Sequence, residues 1–211
     1  MSEQLTIFPE TPHDQQLNLP HSDIKIYRNF FDQKNSDRFF AKLKQEINWK
    51  QEYIKLYGKE NPVPRLTAWY GDSGYTYTYS GITMNPEPWT DALLEIKQKI
   101  ETIAKVNFNS VLLNLYRDGN DGVAWHSDDE PELGKYPVIG SVSFGGERRF
   151  SFKYRDQTNP ERHDINLKHG DYLLMQGETQ QYWYHQIPKT KKPVSPRINL
   201  TFRVIQTSDS S

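Results

Sequence analysis

His126 and Asp128 stand two residues apart in the stretch Trp125-His126-Ser127-Asp128-Asp129-Glu130. Side chains at i and i+2 of an extended strand point to one face. This spacing can therefore aim an imidazole and a carboxylate at a single metal ion. One further histidine would complete a two-His, one-carboxylate facial triad, which leaves coordination positions open on a non-haem Fe(II). The bare H-x-D spacing also occurs in ordinary polar turns, so the rest of the chain has to decide. The histidines are at 13, 21, 126, 163, 169 and 185. His13 and His21 fall in a polar N-terminal stretch, His163 in a polar turn, and His169 just before Gly170-Asp171. His185, in the aromatic run Tyr182-Trp183-Tyr184-His185, is the best partner for the pair. The alternative for His185 is a packed ring satisfied by one hydrogen bond.

A second pattern lies near the C-terminus. In Arg197-Ile198-Asn199-Leu200-Thr201-Phe202-Arg203-Val204 the apolar residues take one face of a strand, and Arg197, Asn199, Thr201 and Arg203 take the other. A polar strand face commonly looks at solvent. Here, however, no Asp or Glu occurs from Thr179 to Ser208, so the two arginines lack local partners. Arginine grips carboxylates through paired N–H donors. Six residues at ~3.3 Å each separate the two α-carbons by ~20 Å, so one arginine suits the far carboxylate of a small diacid and the other the metal end. Asn114-Leu115-Tyr116 repeats the device, with Asn114 and Tyr116 sharing a face and offering neutral hydrogen bonds to an oxo-acid.

The elements that must position these groups are legible in outline. The 211 residues suit one domain with a small extension, and the net charge of -1 means that any nucleic-acid partner is held by a local patch. With no cysteine, disulfides and thiolate metal sites are excluded, and a metal must use His, Asp or Glu. The N-terminus has neither the basic nor the apolar region of a signal peptide, and no apolar run is long enough to span a bilayer. A soluble, monomeric protein is expected, in the cytoplasm of a bacterium or the nucleus of a eukaryote. Residues 1–23, broken by Pro9, Pro12 and Pro20, are expected to form an extended or partly disordered arm. Helices are predicted over 32–47 and 88–104, from the spacing of Phe39, Phe40, Leu43 and Ile47 and of Leu93, Ile96, Ile100 and Ile103. Strands are expected at 24–31, 49–55, 65–70 and 75–79, with a loop at 61–64. From Ser110 onward only short strands and glycine-marked turns follow, the last strand at 197–205. Two helices followed by many strands argues for an α+β fold with a sandwich or jelly roll carrying the site.

Taken together, His126-x-Asp128, His185, Asn114-x-Tyr116 and Arg197-x-Asn199-x-Thr201-x-Arg203 resemble the AlkB-type Fe(II)/2-oxoglutarate-dependent dioxygenases. The likeness runs from about Pro64 to Val204. It is nearest to the eukaryotic-type homologues that repair N-alkylated bases, through Pro64-Arg65-Leu66-Thr67-Ala68-Trp69-Tyr70-Gly71, Tyr77-Thr78-Tyr79-Ser80-Gly81 and His126-Ser127-Asp128-Asp129-Glu130-Pro131. The resemblance implies a double-stranded β-helix core, with residues 24–211 as one dioxygenase domain: 24–109 the nucleotide-recognition lid and its supporting helices, 110–205 the catalytic jelly roll. It implies Fe(II) on His126, Asp128 and His185, and 2-oxoglutarate on Asn114, Tyr116, Arg197, Asn199, Thr201 and Arg203, with O2 as the other co-substrate. The implied reaction is oxidative demethylation of bases such as 1-methyladenine and 3-methylcytosine in DNA, or RNA, with release of formaldehyde, succinate and CO2.

The same resemblance places Tyr79 on a flipped base opposite His126, Tyr77 on the nucleotide, and Arg65, Trp69, Asp129 and Glu130 around the substrate. Acidic turn residues or partners for Arg203 are the alternative for the last two. Leu56-Tyr57-Gly58 aligns with an intercalating finger. Lys189, Lys191 and Lys192 lie between His185 and Arg197 and are the phosphate-contact candidates. A second basic cluster, Arg148, Arg149, Lys153, Arg155 and Arg162, is the other choice. The readings left open are a dioxygenase acting on protein or lipid, a non-oxidative metal-bound cupin enzyme, and a nucleic-acid-binding module without catalysis.

Overall fold

The structure, a computed structural model, describes residues 13–56, 58–75, 77–79, 82–156, 158 and 161–206. In chain order the strands are β1 (His13–Leu17), β2 (Asp23–Arg28), β3 (Tyr53–Leu56), β4 (Lys59–Pro62), β5 (Leu66–Gly71), β6 (Tyr77–Tyr79) and β7 (Ile82–Met84). They continue with β8 (Ser110–Tyr116), β9 (Val123–His126), β10 (Ile139–Gly145), β11 (Arg148–Tyr154), β12 (Arg162–Leu167), β13 (Tyr172–Gln176), β14 (Trp183–Ile187) and β15 (Arg197–Arg203). The helices are α1 (Gln33–Glu46), α2 (Asp91–Ala104) and the single-turn α3 (Thr179–Tyr182). A seven-stranded sheet runs β1-β2-β13-β10-β15-β8-β5 and a four-stranded sheet runs β12-β11-β14-β9, with two small hairpins, β3-β4 and β6-β7. The ladders are antiparallel, and the two larger sheets face each other as a jelly roll.

The helices form where capping and periodicity agree. Asp32 accepts the Asn35 N–H at 2.8 Å and starts α1, whose Phe39 and Leu43 are buried. Thr90 accepts the Leu93 N–H and starts α2, so Pro88 lies before the cap and not in the first turn as the spacing suggested. Leu93, Ile96 and Ile100 of α2 complete a stripe that packs with α1 against one face of the larger sheet. Fully burying a side chain of this kind contributes ~1.5–3 kcal/mol.

Each strand of the larger sheet is two-faced. Val111, Leu113 and Leu115 of β8, Val142 and Phe144 of β10, and Ile198, Leu200 and Phe202 of β15 pack under the helices. The opposite face meets the smaller sheet. There Ile139, Leu173 and Met175 join Phe150, Phe152, Ile165, Trp183 and Ile187 in a second core. The polar side chains of β15 are therefore not a solvent face. Arg197, Asn199, Thr201 and Arg203 are only 1%, 7%, 8% and 8% exposed.

Several elements differ from the sequence expectation. Residues 13–17 pair with β2 as an edge strand. The loop expected at 61–64 is in part β4, paired with β3 into a hairpin whose turn carries Gly58. β9 was not expected, because four residues mixing apolar and polar types carry no periodic signal. α3 interrupts what read as the approach to an aromatic strand. No helix of the described residues is long and apolar enough to cross a membrane.

Candidate active site

The triad is assembled by pairing β9 with β14. His126 stands opposite His185 in register, and their rings are 4.3 Å apart. Asp128 lies two residues beyond the end of β9, so the strand geometry argued from the sequence carries only the first histidine. Asp128 is held instead by its backbone N–H, which donates to Gln180 Oε1 at 3.0 Å from α3. Its Oδ2 comes 3.6 Å from His185 Nε2, and one ligand atom from each of His126, Asp128 and His185 lies within 4.8 Å of the others.

The protonation states suit a metal. His126 Nδ1 lies 2.9 Å from the Ala124 carbonyl, which can only accept, so Nδ1 is the donor and Nε2 is the nitrogen turned to the cluster. His185 is buried against Phe150, and burial, with the neighbouring His126, pushes its imidazole down to about 3. It is neutral at physiological pH. Burial works to raise the Asp128 carboxyl, but the Arg203 guanidinium and the two histidines more than offset it and hold the group at about 2. Two imidazoles and one carboxylate on three points of a small cluster fit a divalent non-haem iron.

β15 carries the two arginines to opposite ends of the same polar face. Arg203 pairs with Asp128 Oδ1 at the metal end. Arg197 stands in register with Tyr116, and its guanidinium lies 5.3 Å from the Tyr116 ring. Arg197 Nη2 donates to Ser143 Oγ at 2.9 Å, but Nε and Nη1 are buried with no hydrogen-bond partner among the described residues. Burial pushes this guanidinium down to about 10, so it remains a cation at neutral pH. Buried N–H donors on a cation are costly unless an acceptor meets them, and a carboxylate meets two at once. The far end of the site thus fits the distal carboxylate of 2-oxoglutarate. Between the arginines, Asn199 stands opposite Asn114 and donates to Ser141 Oγ and the Val142 carbonyl, while Thr201 donates to Asn199 Oδ1. Asn199 and Thr201 are therefore committed in part to the wall itself.

The remaining expected residues divide. Asp129 pairs with Arg155, which also donates to Ser127 Oγ, so Arg203 is not the partner of Asp129. Glu130 precedes the short turn Pro131–Leu133 and accepts the Leu133 N–H through its carbonyl. Trp69 is partly buried against the inter-sheet core, as is Tyr75. Arg65 points at Asn114 and the Gly122 carbonyl. Tyr77 and Tyr79 form β6, paired with β7, but their side chains lie outside the described ones, as do Tyr57 and the Leu56 side chain. Gly58 sits in the hairpin turn at φ +76°. Lys189, Lys191 and Lys192 are exposed on the β14–β15 connection, which packs against the loop after β8. A Cβ at Gly119 would come 2.2 Å from the Thr190 carbonyl.

The second basic cluster does not act as a unit. Arg148 is buried and donates to the carbonyls of Asp118, Asp121 and Pro188, so it is unavailable to a phosphate. Arg149 pairs with Asp164. Lys153 and Arg162 lie over the Trp125 ring on the outer face of the smaller sheet. Gln180 and Ser143 were not anticipated, and Arg155, named only as a phosphate candidate, instead reaches the site through Ser127 and Asp129. Each reaches the site across a long sequence separation, and nothing in local spacing marks them.

Comparison with known proteins agrees with this geometry. Residues 23–203 match the family described as the 2OG-Fe(II) oxygenase superfamily. The chain is 44% identical over 192 residues to alpha-ketoglutarate-dependent dioxygenase alkB homolog 3 of Mus musculus, covering 87% of this chain and 66% of that protein. It is 39% identical over 188 residues to DNA oxidative demethylase ALKBH2 of Bos taurus, covering 85% and 68%. It spans just under two thirds of the mouse and rat homolog 3 proteins, 66% and 64%. A solved structure of OsALKBH1 shares the fold, with TM-score 0.61 at 18% identity, covering 91% of this chain and 100% of that one. The chain belongs to the AlkB group of the 2OG-Fe(II) oxygenase superfamily, whose metal is Fe(II) and whose co-substrates are 2-oxoglutarate and O2.

Proposed function

We propose that this protein oxidatively demethylates N-alkylated bases, such as 1-methyladenine and 3-methylcytosine, in DNA or RNA. The observation that carries the oxygenase half of this reading is the pairing of a His-Asp-His cluster with a buried Arg197 whose Nε and Nη1 have no acceptor among the described residues. Support for the nucleic-acid half comes from the relatives at 39–46% identity, some of which are named DNA oxidative demethylases.

In this reading His126, Asp128 and His185 would hold Fe(II). Bound iron would supply O2 activation for the coupled oxidation of 2-oxoglutarate to succinate and CO2 and of the N-methyl group to formaldehyde. The chain's own residues do the positioning. Arg197 and Tyr116 take the distal carboxylate, and Asn114 adds a neutral donor along the chain of the co-substrate. Arg203 keeps Asp128 ionised and fixes which carboxylate oxygen is left for the metal. The apolar core behind the site, with Phe150 stacked on His185, excludes water from one side.

A base in a duplex has to be flipped to reach such a site. Tyr77 and Tyr79 are proposed to hold it, with Trp69 behind and Asp129 and Glu130 at its polar edge. Lys189, Lys191 and Lys192 are proposed to meet phosphates, and Leu56-Tyr57-Gly58 to fill the gap in the stack. The test is a mass-spectrometric demethylation panel over methylated bases in DNA and RNA, single- and double-stranded, with and without Fe(II). Iron-dependent loss of one CH2 from 1-methyladenine or 3-methylcytosine is expected. Iron-loaded protein that turns over 2-oxoglutarate yet leaves every methylated base intact would point to a protein or lipid substrate instead.

A further inference from the structure

Arg65 follows directly on the β3-β4 hairpin, and its guanidinium turns inward. Nε donates to Asn114 Oδ1 at 2.7 Å and Nη1 to the Gly122 carbonyl at 3.3 Å. Neither partner is an acid. A guanidinium can only donate, so it dictates the orientation of the Asn114 carboxamide, which is otherwise ambiguous by two-fold rotation. The oxygen faces Arg65, and Nδ2, with both its N–H donors, faces away. The hydrogen bond that Asn114 makes with Arg65 uses Oδ1 and leaves Nδ2 out.

Asn114 is 6% exposed and lies on the polar face between the sheets, opposite Asn199 and two residues before Tyr116, which stands opposite Arg197. A donor fixed at this point can serve only what lies along that face. The second contact of Arg65 reaches the metal side. Gly122 returns its own N–H to the Pro64 carbonyl at 2.9 Å, and the next residue opens β9, which ends at His126. This junction has no slack, because a Cβ at Gly122 would come 2.6 Å from the Ile187 carbonyl.

We propose that Arg65 is a positioning residue for the co-substrate, presenting Asn114 Nδ2 to the oxo-acid, and not a contact to the nucleic acid. The assignment rests on the oxygenase reading of the site and is independent of which polymer carries the methyl group. It replaces the role that resemblance suggested for Arg65, because Nε and Nη1 are already committed inside the protein.

The experiment is calorimetric titration of 2-oxoglutarate into the Mn(II)-loaded full chain without nucleic acid, so that no turnover occurs. Arg65→Ala is expected to weaken 2-oxoglutarate about tenfold, the size of one hydrogen bond to an anion. Asn114→Ala is expected to lose as much, and the double variant no more than either alone, because one residue acts through the other. Arg65→Lys, which keeps a donor for Oδ1, recovers part of the loss. Asn114→Asp keeps a partner for Arg65, and so the local fold, but has no Nδ2, and must also bind 2-oxoglutarate more weakly. The proposal is overturned if Arg65→Ala changes the affinity by less than about twofold, if the two single losses multiply in the double variant, or if Asn114→Asp binds like the unaltered protein. Because the titration contains no nucleic acid, its failure and a failure of the demethylation panel are separate results.

Discussion

Arg197 and Arg203 occupy the two ends of β15, share its polar face and are both buried, yet their surroundings differ in kind. Arg203 is closed against the Asp128 carboxylate, a partner made by the fold. Arg197 keeps one bond to a serine hydroxyl and has two further N–H groups with no acceptor among the described residues. A buried cation beside a carboxylate is an internal ion pair, and removing one member leaves the other stranded. A buried cation with open donors costs stability, and that cost is offset only when an anion arrives. The strand thus carries one arginine paired inside the folded protein and one that is proposed to meet a ligand.

The largest expected effect falls on the carboxylate that the metal end shares. Asp128→Ala takes away a proposed ligand and strands Arg203 together. Mn(II) affinity should fall more than about a hundredfold, beyond the loss typical of residues that merely support a metal ligand. Metal titration followed by calorimetry checks it, and near-normal affinity would remove Asp128 from the metal. Next in size is Arg203→Ala, which leaves Asp128 ionised and unpaired in the core. It should cost ~3–5 kcal/mol of metal-free stability in denaturant unfolding, whereas a loss under about 1 kcal/mol would show that the pair is weak.

Arg197→Ala should behave in the opposite way. Its loss removes a grip worth ~1.5–3 kcal/mol, about ten- to a hundredfold in the KM for 2-oxoglutarate. An unchanged KM contradicts the assignment. Smallest of all is the effect of Arg197→Met on the protein without co-substrate. A well-packed apolar replacement of a partly satisfied buried cation should leave Tm unchanged or raise it by a few degrees, while abolishing the rise in Tm that 2-oxoglutarate gives the unaltered protein. A fall comparable with that of Arg203→Ala would mean that the two ends of β15 are alike after all.

How far the sequence reaches is clearest on this strand. The alternation of β15 was legible, and so was the division of the arginines between a far end and a metal end, because strand rise and period are local properties. That the polar face is buried was not legible, since a solvent-facing strand reads the same. The three metal-ligand candidates could be picked out by residue type, but the reason they meet lies elsewhere. β9 is too short to announce itself, and Asp128 is set by Gln180, 52 residues away in sequence. The Arg65–Asn114 contact spans 49 residues and depends on β5 lying beside β8, which no local pattern fixes. The basic cluster at 148–162, the other choice for phosphate contact, could not be judged along the chain for the same reason. Charge can be counted along a chain, but the carbonyls that surround Arg148 come from loops that only the fold brings together.

The measurement that tests the central claim most directly is the product balance on one oligonucleotide carrying 3-methylcytosine. With Fe(II), 2-oxoglutarate and O2 the account predicts formaldehyde, succinate and repaired cytosine in equal amounts, and none of the three when Fe(II) is withheld. Succinate released without formaldehyde, while the methylated base stays intact, would contradict it.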